Sequence, residues 1–206
     1  MAADPAVGAL AEPLTGRRWD ATAVGPRVAA RWQRYRDAGV GPGDRVFLHC
    51  GNRLEFFADP LAVWRLGAAA VPLDPRLTAW EVDRLAAARP RLALVDEDTD
   101  AAVSAGLGVR GVPVVDTRDV ADHGAAAPAP GPGLDADALI LFTSGTTGQP
   151  KGVVHTHRSL GARWARWPGA SATGRTGARS ACCRRTSATA SSVTRSTPGS
   201  PGSTSS

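Results

Sequence analysis

Six consecutive residues, Thr143-Ser-Gly-Thr-Thr-Gly148, set two glycines among four hydroxyl side chains, and Lys151 follows three positions later. Gly145 and Gly148 can adopt positive φ and let a ligand approach the backbone with no Cβ in the way. Successive exposed N–H groups in such a loop form an anion-binding nest. The hydroxyls of Thr143, Ser144, Thr146 and Thr147 add donors for phosphate oxygens. Lys151 brings a compact, mobile positive charge suited to a departing pyrophosphate. The chemistry this combination serves is polyphosphate binding, although alone it also fits a solvated Ser/Thr/Gly turn beside a surface lysine. It is not the Walker loop. Counted from Gly145, Pro150 stands where that motif needs its second glycine, and Gly152 follows the lysine in place of Ser or Thr. Nor does a Gly-x-Gly-x-x-Gly follow a strand at this loop, as a dinucleotide fingerprint requires.

Other residues carry weaker signals. His49 and His123 stand alone and read as structural or solvated. His155 and His157 follow the loop, and strand alternation sends them to opposite faces. Neither has a carboxylate or cysteine beside it, so no metal ligands are assigned. Cys50 reads as a small buried hydrophobe, and adjacent Cys182 and Cys183 lack ligand spacing. Trp19, Trp32, Trp64 and Trp80 are assigned to the core or to subunit contacts. The run Asp96-Glu-Asp-Thr-Asp100 reads as a solvated acidic loop.

The elements that must position the loop alternate between helix and strand. Arg27 to Ala38 spaces Val28, Trp32 and Tyr35 as a helix does, and Gly39 stops it. Asp44 to Cys50 is a short apolar strand after the Gly41-Pro-Gly43 turn. Arg53 to Leu66 is a second helix with Pro60 near a kink and Gly67 at its end. Ala68 to Leu73 is strand-like. Thr78-Ala-Trp-Glu81 is a capping box opening a third helix to about Ala88. Arg91 to Val95 and Val112 to Val115 are further short strands. After a Pro/Ala/Gly-rich linker, Asp122 to Gly133, a buried strand from Asp137 to Thr143 delivers the chain into the loop, and Gly152 to His155 forms the exit strand. This alternation predicts an α/β fold with a largely parallel sheet and flanking helices.

Charge divides the chain in two. The net charge is +5, yet residues 1–160 hold 17 Lys/Arg against 19 Asp/Glu, and residues 161–206 hold seven Arg and no acid. The body is therefore near neutral, which argues against a nucleic-acid partner. No apolar run reaches the length of a membrane span. The first ten residues lack a basic start and apolar core, and the cysteines make no disulfide framework, so a cytoplasmic location is expected. The last 46 residues contain ten Ser, seven Thr and eight Ala but no Leu, Ile or Phe. Such a composition cannot bury enough apolar surface to offset chain entropy, and disorder is expected there. It is also the composition that GC-rich coding DNA yields out of frame, so a frameshift is expected between about Leu160 and Ala181.

The full string Phe142 to Val153 resembles the signature of the adenylate-forming superfamily, which includes acyl-CoA synthetases, peptide-synthetase adenylation domains and luciferases. That pattern runs aromatic-Thr-Ser-Gly-Ser/Thr-Thr-Gly-x-Pro-Lys-Gly-Val with a following His, and each position matches. Gly39 to Val46, Asn52 to Phe57, Gly67 to Pro72 and Asp74 to Thr78 resemble the family's first strand and the helix, strand and turn after it. The resemblance implies an incomplete N-terminal part of the adenylate-forming fold over residues 15–166, with a flexible stretch at 1–14 and a disordered tail at 167–206.

Through that resemblance the implied activity is AMP-forming acid–thiol ligation. ATP and a small carboxylic acid give an acyl-adenylate and pyrophosphate, coenzyme A takes the acyl group, and Mg2+ bridges the phosphates. Thr143, Ser144, Gly145, Thr146, Thr147 and Gly148 would hold the β- and γ-phosphates. Lys151, with Thr143, would stabilise charge on the leaving group, mostly an electrostatic contribution. Segments for adenine, ribose and the adenylating C-terminal lysine are not found, so the chain is expected to be inactive alone. Two further readings stay open: an adenylation module of a peptide or polyketide synthetase, and a non-catalytic nucleotide-binding fragment. Neither the acid nor the oligomeric state follows from the sequence.

Overall fold

The computed structural model describes residues 9–120, 131–143 and 150–165. Of the last 46 residues, expected to be disordered, 161–165 continue a helix and the rest lie outside the described residues, as do the 122–133 linker up to residue 130 and His123. Strand β1 (Ala9–Ala11) pairs antiparallel with β2 (Arg18–Asp20). The flexible stretch expected through residue 14 therefore gives way to paired backbone at Ala9.

Helix α1 spans Ala21–Asp37, six residues longer at its start than the sequence pattern predicts. Its beginning is fixed by Asp20, whose carboxylate accepts the Ala23 N–H at 2.8 Å and satisfies one of the orphan donors of the first turn. Pro26 lies inside the helix, where it removes the bond that would reach Thr22. That proline is why the periodic pattern is legible only from Arg27 onward. Strand β3 (Arg45–His49), helix α2 (Glu55–Arg65), strand β4 (Ala69–Leu73) and helix α3 (Ala79–Leu85) follow close to expectation. Gly67, at φ +73, turns α2 into β4, and a Cβ there would meet Pro42 at 3.3 Å. Thr78 and Glu81 make the reciprocal capping box, which holds the Glu81 carboxyl below its usual range through the Thr78 backbone N–H and hydroxyl.

Beyond β5 (Leu92–Val95) comes helix α4 (Ala101–Val109), which the Ala/Gly-rich sequence does not announce. Asp100 caps it through the Ala102 N–H. The acidic run is not wholly solvated as expected: Asp96 is 5% exposed and accepts the Gly51 and Asp98 N–H groups. Strand β6 (Val114–Asp116), strand β7 (Asp137–Thr143), strand β8 (Lys151–Thr156) and helix α5 (His157–Ala165) complete the order.

Six strands form one sheet in the order β6-β5-β3-β4-β7-β8, all parallel except the last pair. The apolar strands bury both faces, as parallel sheets must. Val46, Leu48, Ala70 and Leu94 join α1 and α2 on one face. Phe47, Val71, Leu73 and Ala93 meet α3 and α4 on the other. The first face also holds a polar knot. Asp59 accepts from Arg31 Nε at 2.8 Å, Tyr35 Oη at 2.7 Å and Thr117 Oγ1 at 2.7 Å, and each of these side chains is essentially inaccessible. Burial and the Asp59 charge push the Tyr35 hydroxyl well above its ordinary pKa.

Candidate functional site

Strand β7 runs parallel to β4, with Ala70 beside Leu139, so Thr143 emerges at the carboxyl end of the parallel sheet. In open α/β sheets that edge is where ligands bind. β8 returns antiparallel, with Thr143 opposite Lys151, Phe142 opposite Gly152 and Leu141 opposite Val153. The polyphosphate-type loop thus closes a β-hairpin. Alternation puts Thr143, Leu141 and Leu139 on one hairpin face with Lys151, Val153 and His155, the face that α2 shares. Ile140 and Phe142 point the other way, into the cluster beneath α3. A Cβ at Gly152 would meet Ile140 Cγ2 at 3.2 Å and Phe142 Cε1 at 3.5 Å. The Ile140 contact is the tight one, so a larger residue after the lysine would press on that side chain, whereas the Phe142 ring lies at ordinary van der Waals distance.

Of the residues assigned to the site, Thr143 and Lys151 are brought together as a cross-strand pair, and Thr143 Oγ1 donates to the Lys151 carbonyl at 3.3 Å. Both side chains are exposed. Among the described residues no carboxylate pairs with the Lys151 ammonium, which leaves it available to an anionic ligand. Ser144, Gly145, Thr146, Thr147 and Gly148 lie outside the described residues. β7 is not the fully buried strand the sequence predicts: Leu141 is 40% exposed, and Val153 and Val154 on β8 are 45% and 50% exposed.

Beside the hairpin lies an open cleft of about 410 Å³ at the carboxyl end of β4. Leu77, Trp80, Leu85 and Phe142 give it apolar walls, and Thr143 and Pro150, which flank the loop, form one rim. Lys151 is not among the described residues that line this cleft. Trp80 is 66% exposed and carries the Arg84 guanidinium over its ring, so it is a surface residue here. Among the described residues no group of three His, Cys, Asp or Glu side chains is arranged to hold a metal ion, and no helix is long and apolar enough to cross a membrane.

The sequence missed the residues at the base of the hairpin. The Trp64 indole N–H donates to the Ala138 carbonyl at 2.6 Å, beside an irregularity in the β7 ladder. His157 is not on a strand opposite His155; it opens α5 and packs edge-on against Trp64, with ring centroids 5.8 Å apart. Its Nε2 is buried without a hydrogen-bond partner, and burial lowers its pKa. No sequence signal marks Trp64, because its acceptor is a backbone carbonyl 74 residues away. Gly106-Leu-Gly108-Val-Arg-Gly111 has dinucleotide-loop spacing, but it ends helix α4 and follows no strand, so it carries none of that chemistry. His49 is fully buried, with Nδ1 at 3.2 Å from Thr99 Oγ1, and belongs to the scaffold.

An open, largely parallel α/β sheet with a Gly/Thr hairpin loop at its carboxyl edge defines the class, and the sequence agrees with it. Residues 27–184 match the family described as AMP-binding enzyme. The chain belongs to this adenylate-forming family. It is 39% identical over 171 residues to the hybrid PKS-NRPS synthetase mycA of Thermothelomyces thermophilus, covering 76% of this chain and 4% of that protein. It is 35% identical over 150 residues to the long-chain-fatty-acid–CoA ligase FadD13 of Mycobacterium tuberculosis, covering 63% of this chain and 28% of that ligase. The ATP-bound crystal structure of MatB from Rhodopseudomonas palustris superposes with a TM-score of 0.63 at 25% identity, over 73% of this chain and 32% of MatB. The chain thus spans less than a third of each of these proteins.

Proposed function

We propose that this chain is the N-terminal part of an AMP-forming acid–thiol ligase, with residues 15–166 as a partial acyl-activating domain. The observation that carries the reading is the hairpin: the string Phe142 to Val153 turns at the carboxyl edge of the sheet, with Thr143 and Lys151 paired across it. In this reading Thr143, Ser144, Gly145, Thr146, Thr147 and Gly148 bind the β- and γ-phosphates of ATP. Lys151 lies close to the leaving pyrophosphate and offsets its growing charge. The donor set fits: hydroxyls, glycine amides and an ammonium unpaired by any described carboxylate are what a polyphosphate needs. A carboxylate oxygen of a small acid would displace pyrophosphate from the α-phosphorus, with Mg2+ offsetting phosphate charge when bound, and the coenzyme A thiol would then displace AMP from the acyl-adenylate.

A second reading, an adenylation module of a peptide or polyketide synthetase, is favoured by the 39% identity to mycA. In both readings the loop does the same work and the thiol acceptor differs. Titration of the purified chain with Mg–ATP and with AMP tests the shared part: tighter binding of the triphosphate is expected, and equal affinity would sink it. A pyrophosphate-exchange assay on the same polypeptide is expected to stay at background, because these 206 residues span so little of the relatives that it resembles.

A further inference from the structure

The two edges of the six-stranded sheet are guarded unequally. β6 closes one edge with three residues, Val114–Asp116, preceded by Pro113, and its last residue is ion-paired with Arg118. Short length, proline and charge are the devices that keep an edge from pairing with another chain. β8 closes the other edge with six residues, Lys151–Thr156, and its centre, Gly152-Val-Val-His155, has no proline and no permanent charge. Val153 and Val154 are 45% and 50% exposed, one on each face of the strand. Leu141, across the ladder from Val153, is half-exposed as well. Among the described residues no strand lies beyond β8. Its outward N–H and C=O groups are therefore a template for one more strand.

Composition and charge decide what that strand is. Beyond residue 165 the large apolar residues are Trp167 and Val193 alone, too few to build a strand that covers valines on both faces. A second β8 has the right pattern. Adjacent pairs of an antiparallel ladder alternate between hydrogen-bonded and non-hydrogen-bonded, so a two-fold axis must pass where a residue faces its own copy. With the axis at Val153, Leu141, Val153 and their two counterparts form one apolar row across four strands. β-branched residues directly opposite one another favour such pairing. The same register sets Lys151 across from His155 and Gly152 across from Val154, so the lysines never face each other. An axis at Val154 would instead extend a row from Ile140, which is already buried.

We propose that β8 is a dimerisation edge: two copies of this chain pair antiparallel through residues 151–155 about a two-fold axis at Val153, joining their sheets into one. The axis uses up both β8 edges and leaves only the guarded β6 edges outside, so assembly stops at the dimer. One strand pair lies at the small end of interface sizes, which makes the dimer weak and dependent on concentration. Pairing at β8 does not depend on what the Gly/Thr loop binds.

Sedimentation velocity on the full chain tests this, under reducing conditions so that Cys182 and Cys183 cannot link copies. The mass is expected to rise toward that of a dimer, and no further, between micromolar and a few hundred micromolar protein. Val153→Lys sets two ammonium groups against each other at the axis. It is expected to move the midpoint about tenfold higher in concentration, with the melting curve of the dilute chain unchanged because the side chain is exposed. His155→Glu sets a carboxylate across from Lys151 of the other copy and is expected to move the midpoint several-fold lower, an effect lost in molar salt. His155→Glu alone decides the matter if Val153→Lys does not fold. A chain that stays monomeric, growth beyond the dimer, or a midpoint that either substitution leaves in place overturns the inference.

Discussion

Two regions of this molecule handle polar groups in opposite ways. Beneath α1 and α2, Arg31, Tyr35, Asp59 and Thr117 form a knot with almost no exposure, every Asp59 oxygen accepting from a neighbour. At one edge of the sheet, the β7–β8 hairpin holds Thr143 and Lys151 in the open, alongside half-exposed Leu141, Val153 and Val154. The knot binds distant segments of chain to one another, reaching from residue 31 to residue 117. The hairpin instead leaves the Lys151 ammonium without a carboxylate partner among the described residues. A charge already satisfied inside the protein cannot attract a ligand, and one left open adds nothing to stability, so the scaffold and the site divide these tasks.

The contrast breaks most sharply at Asp59. Removing its carboxylate by Asp59→Ala strands a buried guanidinium and a buried phenol, and such losses cost about 3–5 kcal/mol. Urea unfolding is expected to show a large drop in midpoint or no cooperative transition. Lys151→Ala should do the reverse. Phosphate affinity is expected to fall about tenfold, equivalent to about 1.4 kcal/mol, while the melting temperature stays within error of wild type because the side chain is exposed. An equal stability loss in both variants would dissolve the distinction between the regions.

Smaller effects sharpen it. Thr78→Ala removes half of the α3 capping box and should cost about 1 kcal/mol, read as a thermal shift, with nucleotide affinity unchanged. Burial holds His49 and His157 below the ordinary value of 6.5. The unfolded chain therefore takes up protons that the folded chain refuses. Stability from this source is complete above pH 6.5 and declines as pH falls from there through the folded values. His157→Phe should remove part of that decline, measured as melting temperature between pH 7.5 and pH 5.5.

Much of the fold was legible in the residues themselves. β3, α2, β4 and α3 could be read because their signals are local: apolar runs, Gly67 beyond a helix end, and Thr78 spaced three from Glu81. α4 escaped because its helix-breaking glycines mask a pattern that only Val103 and Leu107, buried against α3, make worthwhile. The start of α1 was hidden by Pro26. For the site, types and spacing from Phe142 to Val153 supply the polyphosphate candidates, and the hairpin pairs two of them, Thr143 and Lys151.

What the sequence determined by itself was the family, the α/β alternation and the identity of the phosphate-contact candidates, because each rests on neighbouring residues whose spacing is fixed by the covalent chain. Tertiary structure alone decided which face of the hairpin carries Lys151, that Gly152 packs closely over Ile140, and that Asp96 is buried although it begins an acidic run. It alone also paired Trp64 with Ala138 across 74 residues. Such contacts depend on how the sheet stacks its helices, and a backbone carbonyl leaves no mark of its future partner in the residue types around it.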